Sequence, residues 1–197
     1  MRAWTVCPKW RMALGAAAKC GSTTISQLTI ADRKFPGKRE RNGREDWTAV
    51  PTRGYRVVGI VRHPVARFWS LFGNIQARFR GAHNLYKQLE GRDPHYVLDT
   101  FERDLDYDFH YQPQYRIGLL DSPKTELVRL ESLDIWWSVN RPEGAPAMPR
   151  ANRGEGGLAP ADDYLATRIG ELYAADLALW ERAYAGSTPS TTSARDS

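Results

Sequence analysis

The chain alternates two kinds of hydrophobic pattern. Short, wholly apolar runs are followed by longer stretches in which apolar residues return every three or four positions. "RMALGAAA" (11–18) is the first such run, and its small apolar residues predict a buried strand. From Thr23 onward Ile25, Leu28 and the nearby Thr29 fall at helical spacing, with Ser22 or Thr23 placed to cap the helix. "YRVVGIV" (55–61) predicts a second buried strand. Pro64 suits the first turn of the next helix, where a missing N–H is harmless. The apolar stripe of that helix is Val65, Phe68, Trp69, Phe72, Ile75 and Phe79; Arg67, Ser70 and Asn74 are expected on the opposite face. A further helix is predicted around His95–Arg103. "TELVRLESL" (125–133) reads as a third strand running into a helix that carries Trp136 and Trp137. Residues 160–184 read as one strong helix, with Pro160 and two acids at its start.

Between these elements lie polar segments. Residues 32–47 and 140–157 are rich in Pro, Gly or charge and predict loops, the second long enough to suggest a functional role. Residues 186–197 form a low-complexity polar tail, expected to be disordered beyond a single domain spanning 1–185. Strand, loop and helix in repetition predict an α/β fold with a central parallel sheet flanked by helices. Such sheets take their ligands beyond the carboxyl ends of the strands. Lys19 and Arg62 both fall there.

Composition narrows this only slightly. The chain has 197 residues, a net charge of +5 and ordinary hydrophobic content of 42%, so one globular core with an anionic partner is expected. Cys7 and Cys20 are too few for a disulfide scaffold, and no C-x-x-C zinc pattern is present; a reducing, cytoplasmic setting is the simpler expectation. No apolar run reaches the length of a membrane span. The first 21 residues have some character of a signal peptide, but cleavage near Ala18 would cut the loop of greatest chemical interest.

That loop is Lys19-Cys-Gly21-Ser22-Thr23-Thr24. Its lysine precedes the glycine, the reverse of the Walker A order. Gly21 would let an anion approach the backbone, the three hydroxyls could donate beside helix-terminal N–H groups, and Lys19 could neutralise an oxygen gaining charge. A helix cap beside a surface lysine reads equally well. The second constellation is Arg62-His-Pro-Val-Ala-Arg-Phe-Trp-Ser70, in which Arg62 and Ser70 could hold another phosphate. Taken alone, Arg62 fits a simple partnership with a carboxylate.

Together, Lys19-x-Gly-Ser-Thr followed by strand-Arg-x-Pro-x-x-Arg-x-x-Ser resembles the sulfotransferase superfamily. "HYQPQ" (110–114), "LVRLESL" (127–133) and "YAADLALW" (173–180) look like elements of its carbohydrate branch, in the same order. Ala18, His63 and Tyr111 stand where that pattern more often has Pro, Asp or Asn, and Trp. The resemblance implies a P-loop-like three-layer fold. It also implies a donor, 3′-phosphoadenosine-5′-phosphosulfate, released as 3′,5′-ADP. Lys19, Gly21, Ser22, Thr23 and Thr24 would grip the 5′-phosphosulfate, and Arg62 and Ser70 the 3′-phosphate. Arg153, in "PRANRGEGG" (149–157), would close over the nucleotide. The acceptor would be a hydroxyl, carbohydrate being the expected class, and no metal would be needed. Lys19 would stabilise the leaving oxygen. For the base, an imidazole with its ordinary pKa of about 6.5 makes His110 the first choice and Glu131 the second; each could instead be structural. The basic run Arg33, Lys34, Lys38, Arg39, Arg41 and Arg44 could face an anionic acceptor, or form a solvated loop, or bind nucleic acid. Aromatics at core spacing make nucleic acid the poorer expectation. A P-loop-like kinase and a non-catalytic nucleotide-binding protein are the remaining alternatives.

Overall fold

In the computed structural model, which describes residues 4–30, 53–77, 84–106, 108, 110–149 and 162–185, four strands make one sheet. Their order is β1 (Trp4–Cys7), β2 (Met12–Ala16), β3 (Arg56–Val61) and β4 (Thr125–Arg129). β2, β3 and β4 run parallel, as the repeated strand–helix pattern predicts. β1 runs antiparallel to β2, and nothing in its short sequence predicts it. A 3-10 turn over Pro8–Trp10, ending in a left-handed Arg11, folds the chain back. The Trp4 indole then lies over Gly15 so closely that a methyl group there would sit 2.6 Å from the ring.

Seven helices accompany the strands among the described residues: α1 (Ser22–Ile30), α2 (Pro64–Gln76), α3 (Asn84–Leu89), α4 (Pro94–Arg103), α5 (Leu133–Asn140), α6 (Asp163–Leu172) and α7 (Ala174–Ala185). Alternate strand residues face opposite sides of the sheet. Met12, Leu14, Ala16, Val58 and Ile60 pack with Ile25 and Leu28 of α1 and with Leu133 and Trp137 of α5. Ala13, Val57 and Val61 pack with Leu179 and Ala183 of α7. Helices thus cover both faces of the parallel strands, which explains why those strands are continuously apolar. The result is an α/β fold with a mostly parallel sheet, compatible with three layers.

The stripe on α2 does not reach the sheet. Phe68, Leu71 and Ile75 bury themselves among α3, α4 and α6 in a separate helical core, with Val65, Trp69 and Phe72 at its margin. Local chemistry sets the helix starts: Pro64 and Pro94 occupy first turns, while His63, Asp93 and Asp162 cap α2, α4 and α6 with side-chain acceptors.

Two expectations fail here. Residues 163–185 are two helices, not one: Tyr173 leaves helical geometry between α6 and α7, its hydroxyl donating to the Tyr111 carbonyl at 2.7 Å. The break carries Asp176 into the interior. Arg67 is not on the open face of α2; it is 4% exposed and spends its guanidinium on buried carbonyls. The loop over 32–47, with its basic run, Phe79, Pro160, residues 150–157 and the tail over 186–197 lie outside the described residues. Among the described residues, no helix is long and apolar enough to cross a membrane.

Candidate functional site

Each parallel strand ends beside a loop bearing a cation. β2 stops at Ala16, the chain turns through a bond from Cys20 N to the Ala17 carbonyl, and α1 begins at Ser22. The Gly21 carbonyl accepts the Ile25 N–H at 3.0 Å, so Gly21 is the cap residue, one position before the Ser22 or Thr23 expected. Ser22, Thr23 and Thr24 thus form the first turn of the helix, and the positive end of the helix dipole faces the loop. Two residues adopt the left-handed region: Lys19 at φ +67° and Gly21 at φ +88°. For a lysine this conformation costs about 1–2 kcal/mol. Thr23 is exposed, whereas Ser22 and Thr24 are 7% and 9% exposed and turn their side chains toward the protein. Lys19 is half-buried. Burial, and then the adjacent Arg62 charge, pull its ammonium below the ordinary lysine value.

A methyl group on Gly21 would lie 2.8 Å from Leu130 Cδ1, and its φ disfavours any L side chain. Gly21→Ala is expected to cost about 1–2 kcal/mol of stability and to weaken anion binding at the loop. Thermal denaturation beside phosphate-ligand titration checks both; a fully stable variant with intact binding would contradict the role given to this glycine.

Arg62 follows β3 and joins that loop directly. Its Nη1 donates to the Lys19 carbonyl at 3.1 Å. Its Nε lies 4.0 Å from Glu131, which is half exposed, so the ion pair is loose and the guanidinium stays available to a stronger anion. Gln114, wholly buried, holds the Arg62 backbone at both polar atoms: Oε1 accepts the Arg62 N–H at 3.0 Å and Nε2 donates to its carbonyl at 2.8 Å. The same Oε1 accepts from Cys20 Sγ at 2.9 Å. Burial pushes the Cys20 thiol up to about 12, which suits a structural donor and not a nucleophile.

Beneath these loops lies a buried polar network. Asp176, 0% exposed, accepts N–H groups from Gln114 and Tyr115 at 2.7 and 2.9 Å. Arg67 Nη1 sits 3.7 Å from it. Arg67 Nε donates to the Ala18 carbonyl at 3.1 Å, and its Nη2 donates to the carbonyls of His110 and Gln112 at 3.0 and 2.7 Å. One guanidinium thus ties the residue before Lys19 to the backbone of His110.

His110 Nδ1 lies 2.7 Å from Asp108 Oδ1, and the Tyr86 ring packs against the imidazole edge-on at 5.6 Å. His63 takes a different part. Its Nδ1 accepts the Val65 N–H, its ring meets Trp180 at 4.8 Å, and burial lowers its pKa. Arg129, at the end of β4, lies over the same Trp180 ring, its guanidinium carbon 3.2 Å from the ring centre.

No protein-family model, curated protein or solved structure matches this chain. The site must therefore be read from its own geometry. That geometry brings together Lys19, Gly21, Ser22, Thr23, Thr24 and Arg62, with Glu131 at the edge, and links His110 to them through Arg67. Ser70 is half-buried on α2. Arg153 lies outside the described residues. The residues that sequence reading passed over are Arg67, Asp108 and the supporting roles of Gln114 and Asp176. Gln114 and Asp176 stand in stretches that the family resemblance picked out, and Arg67 is the second arginine of its Arg-x-Pro-x-x-Arg-x-x-Ser pattern; what the sequence did not signal is the burial of Arg67, because an arginine is ordinarily solvated.

Proposed function

We propose that this chain is a sulfotransferase that moves a sulfuryl group from 3′-phosphoadenosine-5′-phosphosulfate to an acceptor hydroxyl, with carbohydrate the expected acceptor class. One observation carries the reading: Arg62 donates to the Lys19 carbonyl, so the two anion-binding constellations of the sequence form one cluster at neighbouring strand ends. A helix N-terminus, a lysine in the loop before it and an adjacent guanidinium suit a phosphate-bearing ligand. The reading includes a P-loop-like arrangement of the three layers. Cys7 and Cys20, both buried and not joined in a disulfide, fit a reducing, cytoplasmic setting.

In this mechanism the acceptor oxygen attacks sulfur in line. The new O–S bond forms as the bond from sulfur to the 5′-phosphate oxygen breaks, and that oxygen leaves with the electron pair. Lys19 stabilises the charge it gains. His110 takes the acceptor proton, so the acceptor ends as a sulfate ester and 3′,5′-ADP is released. The cavity beside His110, walled by Arg67, Phe101 and Tyr173, measures only about 10 Å³. An acceptor must therefore reach the imidazole from its solvent side, where 23% of the side chain is exposed.

Titration calorimetry with 3′,5′-ADP tests the reading, with 5′-AMP and ATP–magnesium as controls. Binding that needs the 3′-phosphate and no metal is expected. Arg62→Ala is expected to weaken it by about 10- to 100-fold, the scale of a lost charge-assisted hydrogen bond. Preference for ATP–magnesium would instead point to a kinase.

A further inference from the structure

We infer that Asp108 is the positioning residue that makes His110 a general base. The inference rests on the sulfotransferase reading.

Asp108 is 6% exposed, so its carboxylate must be satisfied within the protein. Its Oδ1 accepts from His110 twice, from the backbone N–H at 2.8 Å and from the ring Nδ1 at 2.7 Å. A carboxylate only accepts, so the proton sits on Nδ1. The lone pair is then left on Nε2, the nitrogen that can take a proton from an incoming hydroxyl. A base whose second nitrogen is held by a carboxylate has both its tautomer and its ring orientation fixed. The turn is anchored as well: the Asp108 carbonyl accepts from Tyr111 N and Gln112 N at 3.2 and 3.1 Å.

The surroundings hold this pair in a defined place. Tyr86 of α3 packs on the imidazole, with burial keeping its phenol protonated. From α2, Arg67 binds the His110 carbonyl and the Ala18 carbonyl together, which ties the imidazole's backbone to the start of the Lys19 loop. Arg67 is itself balanced by Asp176 at the start of α7 and lies over the Tyr173 ring. Among the described residues, Asp108, Tyr86 and Arg67 lie against His110, with Tyr173 and Asp176 beside Arg67. In the transfer step, Nε2 receives the acceptor proton while the O–S bond forms and the 5′-phosphate oxygen departs. The imidazolium so produced keeps its Nδ1–H on Asp108.

Asp108→Asn separates this role from a merely structural one. Both His110 contacts fall on the single oxygen Oδ1, so an asparagine amide that presents its NH₂ at that position donates to Nδ1 and reverses the tautomer. The expected result is a fall in kcat of about a thousandfold, with the KM for donor and the Kd for 3′,5′-ADP within twofold of wild type. Long-range ¹H–¹⁵N spectra, with His110→Gln for assignment, are expected to show Nδ1–H in the wild-type protein and Nε2–H in Asp108→Asn. A protein that binds 3′,5′-ADP, transfers sulfuryl and keeps its kcat in Asp108→Asn would overturn this inference alone. A wild-type protein without nucleotide binding or transfer would overturn the sulfotransferase reading, and the inference with it. If Asp108→Asn fails to fold, the wild-type spectrum still decides: an Nε2–H tautomer at His110 rejects the pairing.

Discussion

Under the proposed function, Lys19→Ala is expected to lower the rate of sulfuryl transfer by about a thousandfold, the upper range for losing one preorganised group that meets developing charge, while leaving the fold intact. The substitution exchanges one L residue for another at φ +67°, so the backbone strain is unchanged. The hydrogen bond that crosses to Arg62 uses the Lys19 carbonyl, which alanine retains. What disappears is the ammonium. Its effect should fall mainly on kcat, because the charge it meets is greatest when the 5′-phosphate oxygen is leaving. Steady-state kinetics with labelled donor, beside thermal denaturation, check this; a variant with normal kcat would remove Lys19 from the mechanism.

The same lysine gives a pH dependence with a definite sign. Burial and Arg62 lower its pKa in the free protein, and a bound phosphate raises it again. Nucleotide binding therefore takes up protons, and affinity falls as pH rises through the lowered pKa of the free lysine. Calorimetry in buffers of different ionisation heat would show the uptake, and Lys19→Ala would abolish it.

Asp176→Ala is the second large effect, on stability. It leaves Arg67, 4% exposed, without its carboxylate and strands the N–H groups of Gln114 and Tyr115. Removing one partner of a buried ion pair costs about 3–5 kcal/mol. In a chain of this size that corresponds to a drop of about 6–20 °C in the melting temperature. The loss should extend to the site, because Gln114 holds the Arg62 backbone and Arg67 holds Ala18. Asp176→Asn, which keeps an acceptor but not the charge, should fall between. Calorimetric melting within about 2 °C of wild type in Asp176→Ala would show that the network is not what supports the loops.

These two residues mark what could be read in advance. Lys19 was visible because its setting is local: an apolar run, a glycine and a helix start lie within a few residues of it. Asp176 was visible only as a letter in a stretch of familiar pattern, read within one uninterrupted helix. Its burial depends on the break at Tyr173, and that break is held by a hydrogen bond to Tyr111, far away in the chain. Helical periodicity cannot register such a bond. Arg67 shows the same limit more sharply. Its place opposite the apolar stripe put it on the open face of the helix, yet three carbonyls from two distant segments and one carboxylate converge on it.

The sequence by itself determined the parallel strands, most of the helices and the two cation-bearing loops at strand ends, since each follows from hydrophobic period and turn chemistry within a short window. Only the tertiary structure decided the antiparallel β1, the separate helical core around α2, and the hold of Asp108 on His110. It also decided the network of Gln114, Arg67 and Asp176 beneath the loops. For the network the physical reason is that a buried polar group is defined by partners that chain distance does not reveal, and only folding brings those partners within hydrogen-bond reach.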